Sequence, residues 1–89
     1  MGKIVIYGHT HCPNCATTKE FLMKKNVQFD YQNTSESLAA FKAFVNLRES
    51  RPEFSQAKEQ GSIGFPCIVV NDGEKIIVGH NEEALAQLS

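Results

Sequence analysis

The chain has 89 residues, a formal net charge of -1 and 42% hydrophobic residues; that is room for a single domain, 1–89, with enough apolar side chains to exclude disorder. Ten acidic residues nearly balance nine basic ones, and no run of like charge occurs, which argues against an electrostatic surface for nucleic acid or for a membrane. No apolar stretch approaches the roughly 20 residues of a membrane helix, and a chain this short buries only about 60% of its unfolded surface, so its stability margin is small.

Met1 and Gly2 lead straight into "KIVIY", with no signal-peptide pattern, so a cytoplasmic location is expected. In that reducing setting three cysteines do not read as a static disulfide framework, and one would be left over. Lys3 to Tyr7 is an almost continuous apolar run, the pattern of a strand covered on both faces. A turn-like stretch, Gly8 to Cys12, leads to Pro13, which suits the first position of a helix, where its missing N–H costs nothing. Cys15, Thr18 and Leu22 share one face of that helix, and Lys24 and Lys25 fall in its last turn, where cations favour the dipole. Val27 to Tyr31 alternates and reads as a second strand.

Asn33 to Ser37 is a cluster of candidate N-caps. Leu38, Phe41 and Val45 then line a face of a second helix, widened by Phe44 and Leu47. Pro52 starts a short third helix that ends near Gly61. After the loop "GSIGFP", Cys67 to Asn71 is another strand, and "NDG" turns it back into an antiparallel strand, Lys75 to Val78. Asn81 caps a last helix with Glu82 and Glu83 in its first turn and Leu85 and Leu88 facing inward. The order predicts an α/β protein: β-α-β-α-β-β-α, an extended helical segment before the third strand, and a mixed four-stranded sheet with helices on both faces.

The chemistry lies in "CPNC", Cys12 and Cys15. Zinc wants four ligands, typically two pairs. This chain offers one pair, Cys67, and His9, His11 and His80 without finger-like spacing. Two structural thiols are a second reading, but Cys12 sits among polar residues. A CxxC that follows the first strand of a βαβ unit and opens its helix points instead to a redox couple. A helix N-terminus offers unpaired N–H groups and the positive dipole end, both of which favour a thiolate. A thiol of pKa ~8.5 is only about 3% ionised at neutral pH, and lowering it by about two units needs about 2.7 kcal/mol. The dipole supplies about 1–2 kcal/mol. Hydrogen bonds from the Asn14 and Cys15 N–H groups, or a cationic His9 or His11, are expected to add the rest. Cys12 is thus the nucleophile, and Cys15, one turn on, resolves its mixed disulfide. Exposed loop histidines are the plainer reading of His9 and His11.

"IVIYGHTHCPNC", the β-α-β order, "GFP" before the third strand and "VGHNEEAL" after the fourth resemble a glutaredoxin over essentially the whole chain. The chain is most similar to a bacterial glutaredoxin-related subgroup with an "SIGFPC" type of loop. The resemblance implies a thioredoxin-like fold and a monomeric thiol-disulfide oxidoreductase. Its implied partners are disulfide-containing proteins and glutathione, the latter a co-substrate, with no resident metal. It makes Pro66 the family's cis-proline and Phe65 the neighbour whose backbone pairs with glutathione. It puts Asn81 and Glu82 at the γ-glutamyl end and His9 near the glycine carboxylate. The chain departs from the family at three positions: His9, where many members have lysine, Asn14, where an aromatic is common, and His80, where a second glycine is usual. Arg48 or Arg51 can replace the lysine's charge, or be solvated helix-face charges. Cys67, just after the proline, reads either as a buried strand residue or as a third thiol able to exchange with Cys12 or to join the pair on a soft metal. Two further functions stand beside the first: a dithiol donor reduced by a thioredoxin reductase, and a metal- or iron–sulfur-binding carrier.

Overall fold

A computed structural model describes residues 3–88. Strand β1 (Ile4–Gly8) runs into helix α1 (Pro13–Lys24), followed by β2 (Asp30–Asn33) and helix α2 (Leu38–Ser50). A 3₁₀ turn at Pro52–Phe54 leads to α3 (Ser55–Glu59), then β3 (Cys67–Val70), β4 (Lys75–Val78) and α4 (Glu82–Ala86). The sheet order is β2-β1-β3-β4: β1 pairs parallel with β2 and antiparallel with β3, and β4 is antiparallel to β3. This is the mixed four-stranded sheet expected from the element order.

The alternation of β1 divides the core. Ile4 and Ile6 point to one face, where they pack with Ile68, Ile77, Leu22 of α1 and Leu85 of α4. Val5 and Tyr7 point to the other, against Val69, Ile76, Cys67, Phe44 of α2 and Phe54. Every strand residue of β1 therefore has helix or turn on its side, which is why the run is apolar throughout.

The second strand starts later than its alternation suggests. Val27 is still tied to α1, its N–H donating to the Leu22 carbonyl at 3.0 Å, after Asn26 takes a left-handed φ of 58°. Val27 and Phe29 enter the core as a crossing segment, and pairing begins only at Asp30, opposite Val5.

Helix α2 is rotated from the expected face. Ser37 caps it through a bond from the Ala40 N–H to its Oγ, 3.2 Å. Ala40 and Phe44 are the buried positions, while Leu38 and Phe41 are 68% and 48% exposed. Phe44 sets this phase. Its ring lies 5.8 Å from that of Phe54 and 4.5 Å from that of Phe65. Filling that gap turns the 38–41 edge outward.

The third helix is split into the 3₁₀ turn and α3, and Gly61 (φ 71°) ends it with its N–H on the Lys58 carbonyl, 3.2 Å. The "NDG" turn takes positive φ at all three residues, 53°, 59° and 111°, a conformation that these residue types tolerate best. Asn81 caps α4 by accepting from the Ala84 N–H at 3.1 Å.

Candidate active site

The CxxC pair sits where β1 hands over to α1. Cys12 is the N-cap residue and Pro13 the first helical residue. The preceding turn is closed by the Cys12 N–H on the His9 carbonyl, 3.1 Å. Cys12 is half-buried and Cys15 only 1% exposed. Spacing by one helical turn thus presents one sulfur to solvent and hides the other.

The expected bonds from the helix start to the Cys12 sulfur are not made. Cys12 makes no side-chain capping bond, and the Cys15 N–H is occupied by the Cys12 carbonyl at 3.3 Å. Burial, first, and the neighbouring Cys12 sulfur push Cys15 up to about 12 from an ordinary 9.0. Two donors act the other way on the Cys15 sulfur: the backbone N–H of His9 and the hydroxyl of Tyr31.

Tyr31 is the site residue that pattern reading missed. It stands on β2, opposite Ile6 of β1. Its hydroxyl and the Cys15 sulfur converge on Gly8. A Cβ built at Gly8 would stand 2.9 Å from the sulfur and closer still to the tyrosine oxygen. Only glycine leaves room for that meeting. Burial, then the charges of Cys15 and Cys12, push the Tyr31 hydroxyl up to about 12, so it stays a donor at neutral pH. Lys19 of α1 lies over its ring, 4.0 Å from the centroid. Together with His9, Cys12, Cys15, Asn33 and Glu36, they line a cleft of about 310 Å³.

Asn14 lines a separate, larger groove of about 590 Å³, whose walls include Phe65, Gly79, Asn81 and Ala84. The Phe65–Pro66 bond is cis, as expected of this proline. Arg48 holds the loop before it, with Nε on the Ile63 carbonyl (2.8 Å) and a second nitrogen on that of Ser62 (2.9 Å). Arg48 is thus a positioning residue of the loop, and Arg51 pairs with Glu53 at 3.0 Å; neither is among the residues lining the cleft at Cys12.

The remaining sequence-derived residues divide. His9 does lie beside Cys12. Its Nδ1 accepts from the His11 N–H at 3.1 Å, and its ring stacks on Phe65 at 6.0 Å. Phe65 and Asn81 share the larger groove. Glu82 is occupied by His80, whose Nε2 lies 3.2 Å from its carboxylate, while His80 Nδ1 meets the Thr18 hydroxyl at 2.7 Å. Cys67 is not brought to the pair. It is fully buried on the α2 side of the sheet, and burial, then the charge of Glu53, push its thiol up to about 12. Among the described residues, no three His, Cys, Asp or Glu side chains gather into a group that could hold a metal, and no helix is long and apolar enough to cross a membrane.

Comparison with known proteins agrees with this geometry. A family model described as glutaredoxin matches residues 4–76. The crystal structure of a glutaredoxin from Methanosarcina mazei Go1 superposes with a TM-score of 0.73 at 31% identity, over 97% of this chain and 76% of that one. Methanoredoxin of Methanosarcina acetivorans gives 0.73 at 30% identity, over 98% and 83%. The glutaredoxin-like NrdH-redoxin of Escherichia coli, whose activity profile is described as thioredoxin-like, gives 0.68 at 20% identity, over 98% and 95%, a likeness of fold.

Proposed function

The chain belongs to the glutaredoxin family, thiol-disulfide oxidoreductases of thioredoxin-like fold, and we propose that within it this protein reduces protein disulfides and glutathione mixed disulfides with glutathione as electron donor. The observation that carries the reading is the asymmetry of the pair: an accessible Cys12 whose only thiol neighbour, Cys15, is buried and keeps its proton. Cys12 attacks the substrate disulfide, one substrate thiol leaves, and a mixed disulfide forms. Either Cys15 attacks the Cys12 sulfur and frees the second thiol, leaving a Cys12–Cys15 disulfide, or glutathione does so and leaves a Cys12–glutathione adduct; glutathione attack then carries the electrons off as glutathione disulfide and returns Cys12 to its thiol. The larger groove, bounded by Asn14, Phe65 and Asn81, supports a bound tripeptide, while Cys12 itself lines the smaller cleft. The reducing cytoplasm and a monomeric state fit this use of free thiols.

A specific observation favours a second donor. Glu82, the carboxylate expected to take glutathione's ammonium, is bonded to His80, and His80 occupies the position of a family glycine. A dithiol donor fed by a thioredoxin reductase needs neither. Glutathione-coupled reduction of a small mixed disulfide separates the two, with Cys12→Ser and Cys15→Ser beside the native protein. Turnover that is lost with Cys12→Ser and kept with Cys15→Ser is the expected result. No turnover with glutathione, and turnover with thioredoxin reductase, reverses the choice of donor.

A further inference from the structure

The cleft at Cys12 is lined by two hydroxyls, of which that of Thr10 is bonded to Ser35 and Asn33 and that of Tyr31 is left without a task by the two-cysteine chemistry. Tyr31 reaches Cys15 from β2, through the gap that Gly8 leaves open. The contact is built from several sides. The β1–β2 register sets Tyr31 opposite Ile6. The ammonium of Lys19 lies 4.0 Å above the ring, an arrangement that favours one ring position. The amide N–H of His9 favours the ionised form of the same sulfur. We propose that Tyr31 is the hydrogen-bond donor that holds the Cys15 sulfur as its thiolate forms, and so sets the rate at which Cys15 resolves a mixed disulfide on Cys12. The inference rests on the dithiol reading above and adds a catalytic residue to it.

The step balances without a further reactant. In the intermediate, Cys12 is joined to the substrate sulfur. Cys15 gives up its S–H proton, and its electron pair attacks the Cys12 sulfur. The bond between Cys12 and the substrate sulfur breaks, a Cys12–Cys15 disulfide forms, and the departing sulfur takes up a proton to leave as a thiol. The pair is oxidised by two electrons and the substrate reduced by two. A buried thiol resists this ionisation, because desolvation penalises the charged form. A donor already aimed at the sulfur offsets that penalty without reorganisation. Tyr31 keeps its own proton throughout, since burial and the two neighbouring sulfurs oppose its ionisation.

The charged and titratable groups facing this sulfur and its donor are Cys12 at the helix start, Lys19 on α1, His9 in the loop before it and Glu36 after β2. Their balance sets where the step turns on with pH. Removing the tyrosine hydroxyl raises that midpoint, because it deletes a bond made to the ionised sulfur.

The test uses the full, reduced protein and an aromatic disulfide, dithiodipyridine. Attack by Cys12 releases one thiopyridone; attack by Cys15 on the resulting adduct releases the second. In Tyr31→Phe the second release is expected to slow by about ten-fold or more, the scale of one hydrogen bond to a charged group. The first release should change far less, and the pH midpoint of the second should rise. Phenylalanine keeps the ring under Lys19, so the packing is retained. Both releases unchanged would overturn the proposal, and so would both slowed by the same factor with no movement of the midpoint, which is the signature of a packing role. No rapid first release from the native protein would remove the dithiol reading itself, and this inference with it.

Discussion

Cys15 and Cys67 are both buried and both pushed up to about 12, yet they lie in different chemistry. Cys15, on the α1 side, has its ionisation set by Cys12, the His9 amide and the Tyr31 hydroxyl. Cys67, on the α2 side, is packed among Phe44, Phe54, Val69 and Ile76. Burial alone raises a thiol and makes it inert. What separates a resolving thiol from a core residue is a partner sulfur and donors waiting for the charge. The shared elevation therefore says nothing of shared function; the neighbours do.

The largest expected effect breaks the pair apart by function. Cys15→Ser should lower reduction of a protein disulfide by about 10²-fold, because an intramolecular thiol in contact with Cys12 far outcompetes an external one. Cys67→Ala should leave that rate nearly unchanged and instead remove about 1 kcal/mol of stability, the scale of one buried methylene-sized group. Steady-state turnover and urea unfolding of both variants check this. Loss of turnover in Cys67→Ala, with the fold intact, would contradict the separation.

How much of this was legible in the sequence follows from which contacts are local. The CxxC at a strand-helix junction, the "NDG" reversal, the Asn81 cap and the proline before β3 are each written in a few consecutive residues, and the structure carries each of them. The phase of α2 is not local. Leu38, Phe41 and Val45 are as plausible a stripe as Ala40, Phe44 and Leu47 until Phe54 and Phe65 converge on Phe44. The start of β2 likewise depends on where β1 offers a partner. Tyr31 was out of reach for the same reason, since its meeting with Cys15 arises from register plus the missing Cβ of Gly8. The available signal was that glycine, a small residue four before the first cysteine of the pair, with an aromatic on the strand expected beside it.

A smaller effect sharpens the comparison through pH. Both thiols have folded values above the ordinary 9.0. The folded protein therefore keeps protons that the unfolded chain releases. The stabilisation is fully present below about pH 9, and is lost as pH rises through the window from 9.0 to about 12. Each thiol contributes a slope of up to about 1.4 kcal/mol per pH unit, and Tyr31, raised from 10.0 to about 12, adds in the same direction at its upper end. Urea unfolding between neutral pH and this window should show the decline, and Cys15→Ala and Cys67→Ala should each flatten it. A decline that survives in one variant unaltered would mean that its thiol titrates alike in the folded and unfolded states.

The smallest effect asks whether the two sides of the sheet open separately. Ser37 caps α2, the helix whose Phe44 covers Cys67. Ser37→Ala should cost about 1 kcal/mol. If α2 can lift while the CxxC side stays closed, native-state labelling of Cys67 by a thiol reagent should quicken about five-fold, the population change that this energy allows. Labelling of Cys12, already half-exposed at the cleft, should not move. Cys67 labelling that stays fixed would show that its exposure does not pass through α2. Labelling of Cys15 that rises in step with Cys67 would show one cooperative core, in which the two thiols differ in chemistry but not in when they meet solvent.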